Sequence, residues 1–357
     1  NISCLVLDFS SALPRMTIVV MIIGDGVFPF YLVKNDCNPV TGIEWVDIKH
    51  RTLVSVLLTM SWSFSTSLLP AVAYLVNDWR YLIATVTTPV LVAIISWWVP
   101  ESARWLISNG KVNSAHFYLS KCAKFNGREE FMVLSKIIIV EDENRKYSFV
   151  DLIRTPNMRQ LALLTGILWF GVACTYYGIS FNIDGFGVNI YLTQFIYGII
   201  EVPAKVFIIL FVDKLGRRLT EAGTLSLTGL VIIYHFIPTL TVLLLSSVCH
   251  TVSLGKMFSE ISFTTVYLYT AELYPTVMRQ NGLGYCSFMA RIGVAVSPLI
   301  MILEDTWSYL PGTLFTLLAL SATLSTFFLP ETANIRLPET IEDVYHLRQL
   351  HLQRCQN

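Results

Sequence analysis

Eight stretches of this chain are apolar over about 20 residues, the length a helix needs to cross a hydrocarbon core of about 30 Å. They are Thr52–Val76, Tyr81–Val99, Leu161–Ile183, Ile190–Val212, Leu219–Ile237, Thr241–Tyr269, Leu283–Leu303 and Tyr309–Leu329. A ninth, Met16–Val33, is interrupted by Asp25 and Pro29. In lipid every backbone polar group must be satisfied inside the segment, so runs of this kind become helices, and the chain reads as an all-α membrane protein. Composition agrees. Only 14% of the 357 residues are charged, against roughly a quarter in soluble domains.

Net charge is zero, but it is unevenly placed. Of the 25 Lys and Arg, 19 fall in loops on one side: Lys49 and Arg51, the segment from Arg104 to Arg159, the Lys214/Arg217/Arg218 loop, Arg279 and the C-terminal tail. The positive-inside rule puts that side, with loop 100–159 and the C-terminus, in the cytoplasm. The seven cysteines are scattered without metal-ligand or disulfide spacing, and the six histidines show no ligand pattern. No phosphate-binding glycine loop precedes a helix. No enzyme constellation emerges, no cofactor is expected, and the only surroundings implied are a lipid bilayer and small solutes, not nucleic acid. Asn1-Ile2-Ser3 fits a glycosylation sequon.

Two blocks recur at nearly one offset. Glu44 precedes Arg51 by seven residues, as Glu272 precedes Arg279, and Pro100-Glu101-Ser102 is answered by Pro330-Glu331-Thr332. Each lies where an apolar run meets a charged stretch, so the repeated unit is a bundle of spans. The expected organisation is an atypical segment 1–43, an N-terminal bundle remnant 44–99, a cytoplasmic loop 100–159, a six-helix bundle 160–330 and a tail 331–357. In that loop Leu106–Ala123 and Glu129–Ile138 read as amphipathic helices. Shifting Asp213–Arg218 back by the same offset places its partner before residue 1. About 9 of 12 spans are therefore expected here, with the chain a fragment or truncated product. Transporters built from two related halves carry their substrate site between them near the midplane.

The blocks Glu44-Trp45-Val46-Asp47-Ile48-Lys49-His50-Arg51, Pro100-Glu101-Ser102-Ala103-Arg104-Trp105-Leu106, Asp213-Lys214-Leu215-Gly216-Arg217-Arg218, Glu272-Leu273-Tyr274-Pro275-Thr276-Val277-Met278-Arg279-Gln280 and Leu329-Pro330-Glu331-Thr332 occur in an order that resembles solute carrier family 22 of the major facilitator superfamily. Gly255–Glu260, Ala115–Leu119 and Val202-Pro203-Ala204-Lys205 place the resemblance in its organic anion branch. The resemblance implies the two-bundle major facilitator fold and transport of organic anions by alternating access, as uptake or exchange. Carboxylates, nucleotides or related conjugates are the implied substrates, and the basolateral plasma membrane the implied location. It also implies that Glu44, Arg51, Glu101, Arg104, Asp213, Gly216, Arg217, Arg218, Glu272, Arg279 and Glu331 form a cytoplasmic gating network; basic residues that only anchor topology are the plainer alternative. A truncated, non-transporting partner of a full-length transporter and a sugar porter of the same superfamily are the competing functions.

A charge inside a span costs about 2.5–3.5 kcal/mol on insertion scales, so intramembrane charges are candidate site residues. Glu201, Lys205, Lys256, Glu260 and Arg291 qualify. Lys205 either faces an anion or bridges to Glu201 one turn away; Lys256 and Glu260 are spaced to neutralise each other. Arg291 lies deep in its span with no acid within a turn. It reads as the selector of substrate charge through a bidentate grip, with a structural pair to Glu260 or Glu201 as the alternative. The resemblance gives Tyr176, Tyr177 and Phe263 cavity roles. Adjacent residues on a helix diverge by about 100°, so one tyrosine of the pair is expected to face substrate. Trp62 is added from its depth alone.

Overall fold

The computed structural model describes residues 50–76, 78–87, 106, 111–125, 149–181, 189–236, 245–307, 309–335, 337–338 and 341–345. Ten α-helices order the described residues: α1 Arg51–Leu75, α2 Trp79–Thr87, α3 Val112–Phe125, α4 Asp151–Arg154, α5 Pro156–Phe181, α6 Ile190–Leu215, α7 Arg217–Phe236, α8 Leu245–Leu273, α9 Arg279–Ile302 and α10 Leu310–Phe327. No strand occurs among them. Their boundaries follow local chemistry. Pro156 opens α5, and Pro311 sits in the first turn of α10, where a missing N–H costs nothing. The Asn189 side chain accepts from the Tyr191 N–H at 3.0 Å and caps α6. Gly216, at φ +89°, ends α6 and lets α7 begin one residue later.

Each apolar run that falls on described residues is helical, and most helices reach past the run into its charged flank, so the bundle stands taller than its apolar band. Of the second run the described part is α2. Met16–Val33, the rest of segment 1–43, and Glu129–Ile138 lie outside the described residues. Among the described residues five helices are long and apolar enough to cross a membrane: α1, α5, α6, α9 with its continuation to residue 305, and α10. Two further expected spans, α7 and α8, are diluted by polar residues that point inward. Thr220, Glu221, Thr224 and Thr228 on α7, and Lys256, Ser259, Glu260 and Ser262 on α8, are all buried. The outer surface, by contrast, is apolar, with Leu163, Leu230, Leu320 and Leu324 exposed. The protein is a multi-pass membrane protein.

Helix α5 packs against α8, α9 and α10, while α8 also contacts α6 and α7. Helix α1 lies along α6. Small residues set the close crossings, because between lipid-facing helices packing rather than water drives association. A Cβ on Gly293 of α9 would lie 2.7 Å from the Phe170 carbonyl oxygen of α5. On Gly198 of α6 it would lie 2.7 Å from both the Cα and the N of Ser67 on α1. Trp169 fills the α5–α8 seam and donates to Thr270 Oγ1 at 2.9 Å.

A substitution pair tests this packing. Gly293→Val meets backbone that cannot step aside and should lower the thermal midpoint and the amount of folded protein at the membrane. Gly223→Ala, with nothing within 4 Å of the new Cβ, should stabilise by about 0.5–1 kcal/mol through helix propensity alone. Equal midpoints for the two variants would contradict the crossing.

Candidate functional site

Four buried charges meet where α6 and α8 cross. Glu201 and Lys205 lie on one helix and Lys256 and Glu260 on the other, each pair one turn apart. The ion pairs run between helices instead of along them: Lys205 Nζ to Glu260 Oε1 at 3.0 Å and Lys256 Nζ to Glu201 Oε1 at 3.4 Å. This corrects the expectation of a Glu201–Lys205 bridge and of a self-neutralising Lys256–Glu260 pair. Ser63 of α1 explains the exchange, for it stands between Glu201 and Lys205. Its hydroxyl accepts from Lys205 Nζ at 2.6 Å and donates to Glu201 Oε2 at 2.9 Å.

The two lysines are held differently. Lys205 donates to the Thr59 carbonyl at 2.7 Å, to Ser63 and to Glu260, which uses all three donors of an ammonium. Lys256 donates to Ser180 Oγ at 2.8 Å and rests over the Tyr176 ring, 3.3 Å from its centroid, in a cation–π contact. Its ion pair is the looser of the two.

Tyr176 is buried and donates to Glu201 Oε1 at 2.6 Å. It is the member of the tyrosine pair that reaches the cluster. Tyr177 packs instead against the bundle core, its ring 5.7 Å from Phe181. Phe263 lies 5.0 Å from the Tyr176 ring and 6.1 Å from Trp169, so aromatic surface runs away from the charges along α5 and α8. Trp62 is half-buried on α1.

Arg291 is elsewhere. It is exposed on α9, two residues from Gly293, whose contact with α5 fixes the rotation of the helix. Two residues are about 200° of turn, which carries Arg291 away from the α5 seam. The two acids named as alternative partners, Glu201 and Glu260, are engaged by the lysines.

At one end of the helices a second network forms around Arg217. Its guanidinium reaches Glu272 Oε2 at 3.1 Å and Asp213 Oδ1 at 2.9 Å, and donates to Thr52 Oγ1 at 3.2 Å. Glu331 caps α7 from the far end of the chain, accepting the backbone N–H groups of Arg217 at 2.9 Å and Arg218 at 3.1 Å. Carboxylate at a helix N-terminus is favoured by the exposed N–H groups and the dipole. Gly216 permits this approach, since a Cβ there would lie 2.6 Å from Glu331 Oε2. Arg218 donates to the Phe327 carbonyl at 2.7 Å and Thr332 to Glu272 at 2.6 Å. Arg51 donates to the Ile335 carbonyl at 3.2 Å, and Arg279 to the Tyr274 carbonyl at 3.2 Å and to Thr276. Glu44, Glu101 and Arg104 lie outside the described residues.

Several partners were not among the candidate site residues read from the sequence: Ser63, Thr59 and Thr66 on α1, Ser180 on α5, and Thr52 and Thr332 in the Arg217 network. Thr66 also donates to Glu201 Oε2, at 3.3 Å. The signal was a stripe of hydroxyls at 59, 63, 66 and 67, the spacing of one face on an otherwise apolar helix.

The sugar (and other) transporter family profile matches residues 49–344. Solute carrier family 22 member 7 of Sus scrofa is 44% identical over 314 residues, covering 85% of this chain and 56% of that protein. The Homo sapiens protein of the same name is 43% identical over 309 residues, with 85% and 56% covered. Organic anion transporter 3 of Oryctolagus cuniculus is 37% identical over 314 residues, with 85% and 58% covered. The chain thus spans a little over half the length of these curated relatives. Among solved structures, the proton:xylose symporter XylE bound to 6-bromo-6-deoxy-D-glucose superposes with a TM-score of 0.61 at 19% identity, covering 89% of this chain and 70% of that one. That likeness identifies the major facilitator fold.

Removing one partner of a buried pair leaves the other uncompensated. Lys205→Met should destabilise by about 3–5 kcal/mol, and Glu260→Gln added to it should recover a good part. Thermal unfolding of both variants in lipid nanodiscs measures this; a double variant no more stable than the single one would show that the pair is not the source of the loss.

Proposed function

The chain belongs to the sugar (and other) transporter family, with relatives in solute carrier family 22 that are transporters and not enzymes, and from that membership we propose that it carries organic anions across the plasma membrane by alternating access. The observation supporting this reading is Lys256. It is a buried cation of the C-terminal bundle held by one hydroxyl, one aromatic face and a loose carboxylate contact. An arriving carboxylate can take the place of Glu201 at the ammonium while Tyr176 keeps its hydrogen bond to Glu201. The aromatic run Tyr176, Phe263 and Trp169 offers an apolar wall for the body of an organic anion, as such sites require. Lys205, with every donor used, holds helices together and is not the exchanging cation.

The cytoplasmic network supplies the gate in this proposal. Arg217 ties α6, α7 and α8 to Thr52 of α1, so the N-terminal helix and the C-terminal bundle are clasped at one end while the network is intact. Release of Arg217 lets the two sides part there, a change between two packings of the kind that bistable interfaces support. The basic loops on that side favour its placement in the cytoplasm. Exchange against an internal organic anion fits the same site, because the departing anion returns Lys256 to Glu201.

Uptake of a labelled aromatic carboxylate into cells or proteoliposomes containing the chain tests the proposal. Uptake should exceed background and saturate. Lys256→Gln should lower kcat/KM by tenfold or more, one tenfold being about 1.4 kcal/mol, with the amount of protein in the membrane little changed. Background uptake by protein that is folded and present at the surface would sink the transport reading. Sugar uptake without anion uptake would move the substrate class to that of a sugar porter.

A further inference from the structure

The anion site proposed above is built on α5, α6 and α8, yet one of its supports comes from outside that bundle. Ser63 is fully buried on α1 and touches both of the quartet's residues on α6, Glu201 and Lys205. One hydroxyl accepts from Lys205 and donates to Glu201, so each of the two ion pairs has a member bonded to the same oxygen. Glu201 in turn accepts from Tyr176 and pairs with Lys256. A continuous chain of polar contacts therefore runs from Lys205 through Ser63 and Glu201 to the Tyr176–Lys256 contact. Thr66 adds a second hydroxyl from the same face of α1 to Glu201, and the Thr59 carbonyl holds Lys205.

The approach of α1 to α6 makes this possible. Gly198 lies one turn before Glu201 and lets the α6 backbone meet Ser67 directly, so a serine, the shortest hydroxyl side chain, spans the distance at position 63. An alanine there would leave the fold's packing nearly intact but would remove the one group that is donor to Glu201 and acceptor to Lys205. Glu201 would lose its strongest contact with α1. Its carboxylate would be free to turn from Tyr176 toward Lys205, its neighbour one turn along α6.

We propose that Ser63 is a positioning residue: its hydroxyl holds the Glu201 carboxylate so that Tyr176 and Lys256 stay in register, and through it the N-terminal helix sets the geometry of an anion site carried by the C-terminal bundle. The proposal rests on the transport reading for its functional half only, since the positioning itself is a property of the folded chain. Parting of α1 from α6 removes Ser63 and Thr66 from Glu201 together. Closure of the interface and affinity at Lys256 are then linked, and occupancy of the site biases the interface in return, as linkage demands.

Two measurements on the full chain decide it. In uptake assays with a labelled aromatic carboxylate, Ser63→Ala should raise KM by about tenfold, the equivalent of one lost hydrogen bond to a charged group, with kcat per surface copy within about twofold of wild type; Ser63→Thr, which keeps the hydroxyl, should restore KM. An unchanged KM in Ser63→Ala overturns the proposal, and so does an equal loss of kcat and surface protein in both variants. The second measurement needs no substrate. In a thermal-unfolding cycle of Ser63→Ala, Lys256→Met and the double variant, the two effects should be non-additive, because residues 63 and 256 share Glu201 as a partner. Additive midpoints overturn the positioning role. Absence of uptake in wild type together with a non-additive cycle would instead reject the transport reading and leave Ser63 as proposed.

Discussion

Four charges buried at one level of a membrane bundle impose a condition that the rest of the structure has to meet. Each would cost several kcal/mol alone. They are tolerable only if the acids and bases face one another with their remaining lone pairs and protons engaged. Because Glu201 and Lys205 sit on α6 while Lys256 and Glu260 sit on α8, that condition fixes the rotation of both helices and their relative height. It also recruits polar atoms from neighbours: Ser63, Thr66 and the Thr59 carbonyl from α1, and Tyr176 and Ser180 from α5. The packing of four helices is thus written around one electrostatic problem.

Helix α8 carries that problem to the Arg217 end of the bundle. Glu260 and Glu272 are twelve residues apart on it, about 18 Å along the axis. The first is held by Lys205 and the second by Arg217. Helix α1 follows the same two levels, with Ser63 at the upper and Thr52 at the lower. Helix α8 is thus fastened to α6 by the two ion pairs of the quartet and to α7 by Arg217–Glu272 at 3.1 Å and Ser262–Glu221 at 2.6 Å. The Gly198–Ser67 contact brings the backbones of α6 and α1 together, at a distance only a glycine allows.

How much of this was legible in the sequence depends on what a one-dimensional pattern can encode. The helices were, because lipid demands long apolar runs and because Pro156, Gly216 and Pro311 mark their ends. The charges were also visible, since an ionised residue amid apolar ones has a cost that needs a reason. Their pairing was not. Spacing of three or four residues sees only neighbours on the same helix, so the only ionic partners it offered were Glu201 for Lys205 and Glu260 for Lys256. The partners across the crossing appear only once two helices are set at a common height. Ser63 escaped notice because a neutral hydroxyl mid-span can bond its own backbone and advertises no cost. The position of Arg291 along its apolar run could be read from the sequence, but the face it occupies follows from the Gly293–Phe170 contact. Depth is a sequence property; rotation is a packing property.

The acids of the quartet argue for a division of labour between the two pairs. If Lys256 turns to a substrate carboxylate, Glu201 is left with the hydroxyls of Tyr176, Ser63 and Thr66, three donors already in place. If Lys205 turned instead, Glu260 would keep only Thr264 at 3.1 Å, and its second oxygen already has no partner. A carboxylate accepts several hydrogen bonds and is costly to bury without them. The protein can therefore release one lysine at modest cost and the other only at a large one. The quartet as a whole is formally neutral, so in the proposed function an anion would enter by exchange with Glu201 and not by attraction to an excess of positive charge. Under that proposal, affinity would be governed by how well Glu201 is accommodated after it is displaced, which would place the hydroxyls of α1 and α5 that bond it among the determinants of binding.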